Sequence, residues 1–260
     1  PQAPELPVKG FDGSGAGYQS PPDSGKDIDV KVDFNSDRLA LLEPFEPVDK
    51  VAAYQDLPVL LKARGKCTTD QISPAGKWLQ YRGHLDNISG NMFSGADNTF
   101  AEAAGTGCNI FTGACGDSLS EIARDYKSRG QGWISVGDAN YGEGSSREHA
   151  AMSPRYLGCR VVLVRSFARI HETNLKKQGV LPLTFVDPAD YDLIQMDDRL
   201  SFIGLDQIEP GKPVQVKIQH ADGSSDEIVA NHSMNDEQIT WFNAGSALNM
   251  IRQQQVQNAD

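Results

Sequence analysis

The chain has 260 residues, of which 39% are hydrophobic and 23% are charged, so it is long enough for one large core with an appendage or for two small domains. No apolar run approaches the roughly 18 residues of a bilayer span, which argues against a membrane role. The formal net charge of -11 repels a phosphate backbone and disfavours nonspecific nucleic-acid binding. Because the sequence begins at Pro1 without a methionine or an apolar leader, we expect a processed product or a fragment.

The first part of the chain is rich in proline, glycine, serine and aspartate and has no sustained apolar period. Residues 1–30 are therefore predicted to form an extended connector. The next stretch, from Arg38 to Phe45, is only intermittently apolar. Such a pattern is typical of a segment that packs against another part of a protein.

From Leu57 onward, short apolar runs alternate with segments that favour helix. Strands are predicted over Leu57–Ala63, Trp133–Val136, Val161–Val164 and Leu181–Phe185. Helices are predicted over Ser118–Arg129 and Arg147–Leu157. This alternation indicates an α/β layer fold with a central β-sheet flanked by helices.

The C-terminal part favours a hairpin followed by a helix. Two strand-like runs, Val214–Gln219 and Glu227–Asn231, flank Asp222-Gly223, a pair typical of a tight turn. A final helix is predicted from Asp236 to about Gln253. Its apolar stripe is predicted to pack in the core and consists of Trp241, Ala244, Leu248 and Ile251.

The four cysteines form no C-x-x-C pair and have no histidines at zinc-finger spacing. They are Cys67, Cys108, Cys115 and Cys159. We expect free thiols in a reducing compartment. Two of the cysteines fall within residues 95–116, a stretch rich in glycine, alanine and threonine that is predicted to be a variable surface loop.

The clearest chemical signal is a glycine-rich turn between a predicted strand and a predicted helix. It reads Tyr141-Gly142-Glu143-Gly144-Ser145-Ser146-Arg147-Glu148-His149. The glycines allow a sharp turn and the close approach of a ligand. The serines are predicted to lie at a helix N-terminus, where free N–H groups and the helix dipole stabilise negative charge. Arg147 adds a planar cation suited to carboxylates. The alternative is that Ser145 is only an N-cap and Arg147 lies on a solvated helix face.

Two further clusters carry polar side chains. The stretches 67–76 and 81–89 follow a buried strand and contain Asp70 and Arg82, which is the pattern of a carboxylate-binding loop or of a loop held by its own caps. The stretch 166–175 crowds polar residues after another strand, and we expect its His171 to be a hydrogen-bonded structural residue and not a catalyst. Neither order nor spacing singles out a Ser-His-Asp triad.

These stretches together resemble the mitochondrial-type aconitases over nearly the whole chain. The resemblance is carried by Gly65–Asp70, Arg82–Ser89, Tyr141–His149 and Ser166–Gly179, with a linker-like string at Glu5–Asp12. It implies a three-layer α/β swivel domain over residues 56–260 that closes over a three-domain N-terminal body. Residues 1–55 are implied to be the extended linker that packs on that body. It also implies a [4Fe-4S] cluster held by cysteines of the body, so that this chain holds no metal, and a location in the mitochondrial matrix, or in the cytoplasm of a bacterium.

The resemblance further implies dehydration of citrate to cis-aconitate and rehydration to isocitrate, with the open iron site as Lewis acid on the leaving hydroxyl. Ser145 would be the base, which requires that nearby cations favour its alkoxide. Substrate would be bound by Arg82, Ser146, Arg147 and Asp70. With half of the active site and no cluster ligands, the chain alone is predicted to be inactive.

Two departures leave alternatives open. Gln71 stands where these enzymes usually have histidine, and residues 95–116 also differ, which leaves room for a homocitrate or homoaconitate dehydratase. The RNA-binding iron-regulatory branch is disfavoured because it is expected to carry Arg-Asp-Trp where this chain has Arg147-Glu148-His149. The acidic net charge also argues against RNA as a partner.

Overall fold

A computed structural model of the chain describes residues 31–257 together with residues 5, 8, 10, 17, 19–21 and 29. Residues 33–257 lie in one compact unit. The predicted extended connector over residues 1–30 therefore lies almost entirely outside the described residues. Among the helices that the structure describes, none has the length and apolar character needed to cross a membrane.

The described chain contains nine strands and eight α-helices. The strands are β1 (Leu57–Lys62), β2 (Thr106–Cys108), β3 (Cys115–Ser118), β4 (Trp133–Gly137), β5 (Cys159–Val164), β6 (Leu181–Phe185), β7 (Arg199–Ile203), β8 (Val214–Gln219) and β9 (Ser225–Asn231). The helices are α1 (Thr69–Ile72), α2 (Leu85–Ile88), α3 (Leu119–Ser128), α4 (His149–Tyr156), α5 (Arg169–Lys177), α6 (Asp190–Leu193), α7 (Asp236–Ala244) and α8 (Ala247–Gln257).

Seven of these strands close into a barrel in the order β1-β4-β5-β6-β9-β8-β7. The first four pair in parallel, and the remaining contacts around the barrel are antiparallel. The parallel strands are almost entirely buried because both of their faces are covered. In β5, for example, Leu163 belongs to one core cluster and Val162 to the other.

The α/β class and the central sheet with flanking helices are confirmed. The four predicted parallel strands and the hairpin of β8 and β9 lie where their apolar patterns indicated, and Gly223 turns the hairpin with φ of +89°. Closure of the sheet was not predicted, because β7 does not stand out as an apolar run: it alternates between buried and partly exposed residues.

The prediction of a surface loop over residues 95–116 is wrong in part. Ala96 and Asn98 are buried, and β2 and β3 pair across the end of this stretch. The prediction of four free thiols is also wrong, because Cys108 and Cys115 form a disulfide. The antiparallel register of the two strands places these two residues directly opposite each other. Cys67 and Cys159 are free and buried.

The predicted final helix is divided into α7 and α8. Gly245 adopts a left-handed conformation, with φ of +90°, and caps the C-terminus of α7. The break changes the direction of the apolar stripe. Ala244 is buried, as predicted, but Leu248 is 63% exposed and Ile251 is 45% exposed, so the expected core packing of these two residues is wrong.

Candidate active site

The glycine-rich turn after β4 lies against the loop that follows β1. The amide of Gly142 donates to the carbonyl oxygen of Cys67 at 2.7 Å, and the amide of Thr69 donates to the carbonyl oxygen of Glu143 at 2.9 Å. These main-chain bonds hold together two segments that are distant in sequence. The two polar stretches singled out in the sequence are therefore neighbours.

Two glycines in the turn have conformations and surroundings that exclude a larger residue. Gly142 has φ of +80°, and a Cβ atom there would come within 2.2 Å of the imidazole of His171. Gly144 has φ of +119°, and a Cβ atom there would lie 3.0 Å from Oγ1 of Thr69. The predicted need for glycine is confirmed, and in this structure the close neighbours are parts of the chain itself.

The His171 side chain packs against the glycine-rich turn. It is only 2% exposed, and its ring lies 5.5 Å from that of Tyr141. Burial lowers the pKa of His171 to about 4, so the ring is neutral at physiological pH. Its Nδ1 atom has no hydrogen-bond partner among the described residues. Burial beside the turn supports the expected structural role, but Nδ1 does not make the hydrogen bond that was expected.

The Ser145 side chain is exposed and meets two polar groups. Nη2 of Arg147 donates to its hydroxyl oxygen at 3.2 Å. Oγ1 of Thr69 lies 3.4 Å from the same oxygen, and either hydroxyl can be the donor. A serine oxygen with a guanidinium donor and a hydroxyl neighbour is in an environment that favours its anionic form.

The guanidinium of Arg147 is fixed by the loop after β1. Nη1 donates to Oδ1 of Asp70 at 2.7 Å and to the carbonyl oxygen of Ser73 at 2.6 Å. The Arg147 side chain is only 16% exposed, whereas that of Asp70 is 68% exposed. Nη1 of Arg147 is thus bonded to the loop after β1, and Nη2 is bonded to Ser145.

The helix that follows the turn begins later than predicted. The first residue of α4 is His149, and Glu148 occupies the N-cap position. Ser145 is therefore neither the first residue of a helix nor its N-cap, and both predictions are wrong. The amides of Ser145 and Ser146 donate to no described residue, so they remain available to an anion. The positive charge beside the Ser145 hydroxyl belongs to Arg147.

The main chain of Arg82 is hydrogen-bonded to His149, the first residue of α4. Nε2 of His149 donates to the carbonyl oxygen of Arg82 at 3.0 Å, and burial lowers the pKa of His149. Within the described part of the chain, neither the Arg82 guanidinium nor the Ser146 hydroxyl makes a hydrogen bond, and both residues are exposed. The structure thus joins Ser145, Arg147 and Asp70 directly and leaves Arg82 with a free guanidinium.

The loop after β1 is held by its own caps, as one of the two sequence interpretations predicted. Thr68 and Gln71 form a capping box in which the Thr68 amide donates to Oε1 of Gln71 at 2.7 Å. Gln71 therefore orients the turn that carries Thr69 and Asp70. Sequence reasoning missed the contact of Thr69 with Ser145 and the bond from His149 to Arg82, because both join segments whose spacing carries no pairing signal.

The thiols of this chain are poor metal ligands. Burial raises the pKa of Cys67 and of Cys159 to about 12, so neither is a thiolate at neutral pH, and the other two cysteines are oxidised. No group of three or more histidine, cysteine or acidic side chains in the described ranges could hold a metal ion.

The family model and the related sequences that match this chain all belong to one family. A model of the aconitase C-terminal domain matches residues 57–188, just over half of the chain. The chain is 57% identical over 257 residues to a probable mitochondrial aconitate hydratase of Dictyostelium discoideum, covering 98% of this chain and 33% of that protein. Mitochondrial aconitate hydratases of Gracilaria gracilis and Saccharomyces cerevisiae are 55% and 51% identical over 252 residues, each covering 97% of this chain and 32% of the relative.

The chain thus spans about a third of the length of the curated relatives that it matches. The sequence of each relative nevertheless aligns with almost all of this chain, including the turn and the loop that carry the site. On this evidence, the chain belongs to the aconitase C-terminal domain family.

Proposed function

We propose that this chain is the part of an aconitate hydratase that supplies the base and two carboxylate-binding arginines to the active site. The observation that carries the proposal is the hydrogen bond from Arg147 to the Ser145 hydroxyl at 3.2 Å. It is supported by the names of three relatives that are more than half identical to this chain.

In this proposal Ser145 removes a proton from the substrate carbon next to the one that bears the hydroxyl. The electron pair of the broken C–H bond forms the double bond of cis-aconitate, and the hydroxyl leaves with the electron pair of the C–O bond. The iron-sulfur cluster outside this chain would supply the Lewis acid for that leaving group. Return of water in the other orientation gives isocitrate. A serine can act as a base only if its alkoxide is stabilised, and the Arg147 guanidinium supplies that stabilisation.

Substrate carboxylates are bound by Arg82, Ser146 and Arg147. Exposure of Arg82 and Ser146 supports this assignment, because both can reach a ligand without breaking a bond within the chain. Asp70 is assigned to the same site, where its bond to Arg147 orients the guanidinium. Arginine suits this role because its planar fork matches a carboxylate.

The proposed enzyme carries a [4Fe-4S] cluster outside this chain. The cysteines of this chain do not fit as its ligands, because two are buried and protonated and two form a disulfide. The cluster is therefore assigned to an N-terminal three-domain body, with residues 1–55 as the linker and residues 56–260 as the domain that closes over it. The names of the relatives support a location in the mitochondrial matrix.

Citrate is favoured over homocitrate as the substrate. The departure at Gln71 left both open, but its side chain is used in the capping box of α1, and the relatives are named aconitate hydratases. Turnover of the two substrates by the longer enzyme that contains this chain tests the choice. We expect citrate to have the larger kcat/KM, and a larger value for homocitrate would contradict it.

The 260-residue chain alone tests the division of the active site. We expect no formation of cis-aconitate when citrate is added to it, because it holds only part of the catalytic machinery. Turnover by the isolated chain, followed by the absorbance of cis-aconitate, would contradict the assignment of the remaining machinery to other domains.

A further inference from the structure

A cavity with basic residues in its lining lies between the segment of residues 40–46 and helix α4. Its volume is about 550 Å³, and its lining includes Arg82, Lys127, Arg155 and Arg160. Neither the proposed base nor Arg147 lines it, although Arg82, which is assigned to the substrate, lies at its edge. Arg155 and Arg160 have no part in the proposed reaction, so their presence at this cavity calls for a separate explanation.

Arg155 is a buried cation without a carboxylate partner. It is 7% exposed, and its guanidinium donates to the carbonyl oxygens of Gln178 at 3.1 Å and of Glu46 at 2.9 Å. Its guanidinium also lies 5.1 Å from the centre of the Phe45 ring. These contacts fix the side chain, but neutral carbonyl oxygens leave its charge uncompensated.

Arg160 adds a second unpaired cation at the start of β5. Its Nε atom is buried and has no hydrogen-bond partner among the described residues. Burial, with a smaller effect of the nearby Arg160 charge, lowers the pKa of Arg155 to about 10. None of the ion pairs in the described chain includes either arginine.

The carboxylates that line the cavity do not compensate this charge. Glu43 and Glu46 are exposed and form no ion pair within the described residues. Asp86 is paired with Arg124 at 2.5 Å, so its charge is already balanced. A buried charge without a counter-ion is costly, so a bound anion would compensate the charge of Arg155.

We propose that this cavity binds a small oxyanion with two or more negative charges, held between the guanidinium groups of Arg155 and Arg160. Both a phosphate and a polycarboxylate have the required oxygen geometry, since the arginine fork binds either in a bidentate manner. The volume of about 550 Å³ accommodates either ligand. Lys127, whose Nζ atom lies 3.5 Å from the centre of the Tyr156 ring, adds positive charge to the same wall.

The test is calorimetric titration of the 260-residue chain, at low ionic strength, with inorganic phosphate and separately with propane-1,2,3-tricarboxylate. Binding of phosphate alone identifies a phosphate site, binding of the tricarboxylate alone identifies a polycarboxylate site, and binding of both establishes the shared oxyanion chemistry. In each case Arg160→Gln should weaken binding at least about tenfold. Arg160→Lys should also weaken it, because lysine lacks the fork. Failure of both anions to bind would overturn the proposal.

Two control variants separate this cavity from other basic surfaces. Arg129→Gln removes an exposed arginine already paired with Asp125 and should leave the affinity unchanged. Arg147→Gln should preserve binding, which distinguishes the cavity from the proposed substrate site. Unchanged affinity in Arg160→Gln, or loss of binding in Arg147→Gln, would place the anion elsewhere and contradict the proposal.

Thermal unfolding gives a second readout that does not depend on the affinity. Removing one of two repelling cations should leave the Tm of Arg160→Gln, in anion-free buffer, equal to or above that of the parent. Added anion should raise the Tm of the parent more than that of the variant. A lower Tm in anion-free buffer would show that the chain itself stabilises the Arg160 charge, and the need for a bound anion would disappear.

Discussion

The guanidinium of Arg147 donates from one side to the Ser145 hydroxyl oxygen at 3.2 Å and from the other to the Asp70 carboxylate at 2.7 Å. The arginine therefore connects the loop after β1 with the proposed base. Because Arg147 is largely buried and Asp70 is mostly exposed, the arginine is held by the protein while the carboxylate faces the solvent. This relationship makes Asp70 a residue that positions the arginine.

Asp70→Asn and Asp70→Ala should have different effects in the proposed aconitate hydratase. Asparagine keeps an oxygen that can accept from Nη1, whereas alanine leaves Nη1 bound to main-chain carbonyls alone. We expect alanine to raise the KM for citrate several-fold more than asparagine does. Steady-state kinetics of the two variants measure this. Equal and large losses of kcat in both would indicate that the Asp70 charge itself takes part in the reaction.

Gly142→Ala should destabilise the fold by about 2–4 kcal/mol, because the added methyl group meets the His171 ring and the residue has a positive φ. Gly113→Ala is the matched control. Gly113 has φ of +73° with nothing within 4 Å of a Cβ atom, so only the backbone cost of about 1 kcal/mol remains. Denaturant unfolding compares the two variants. An equal loss in the free energy of unfolding in both variants would show that the contact between residue 142 and the His171 ring has no effect on stability.

His171 should make the stability of the fold depend on pH in the acidic range. Burial lowers its pKa from 6.5 to about 4, so the unfolded chain binds a proton at this residue more readily than the folded chain. The contribution of neutral His171 is fully present above pH 6.5 and is lost as the pH falls towards 4. The shift corresponds to about 3 kcal/mol at its full extent.

Comparison of the parent with His171→Gln isolates this effect, because His149 and His232 also have lowered pKa values and contribute in the same direction. We expect the free energy of unfolding of the variant to fall less between pH 7 and pH 4. Parallel pH profiles would show that His171 is protonated equally in the folded and unfolded chains.

The disulfide between Cys108 and Cys115 should stabilise the small hairpin by about 2 kcal/mol, because it closes a loop with a sequence separation of 7 residues. Cys108→Ser with Cys115→Ser should therefore lower the Tm. Treatment with a reductant should lower the Tm of the parent to that of the double variant. A reductant that lowers the Tm of both proteins equally would show that the bond does not contribute.

The regular elements could be predicted because their signals are local. The run from Leu57 and the Asp222-Gly223 turn each carry the pattern of their structure over a few residues. The break at Gly245 was missed because the apolar spacing continues across it. The start of α4 was missed because Ser145 and Ser146 are residue types common at helix N-termini, whereas the helix begins at His149.

The chemistry of the site could be predicted only in part, because the contacts between its side chains are not local in sequence. The residue types of the turn indicated an anion site, but the partner of each side chain depends on how β1 and β4 pair. Parallel pairing of these strands brings Thr69 and Asp70 to the turn. The disulfide likewise depends on the register of β2 and β3, which the glycine-rich sequence there does not reveal.

The kcat of Ser145→Ala in the proposed aconitate hydratase tests the central claim most directly. Because Ser145 is the proposed base, we expect kcat to fall by about 10²–10⁴-fold, with a much smaller change in KM. Ser128→Ala, at an exposed serine near the end of α3, is the control and should retain normal kcat. A Ser145→Ala enzyme with kcat close to that of the parent would contradict the assignment of Ser145 as the base.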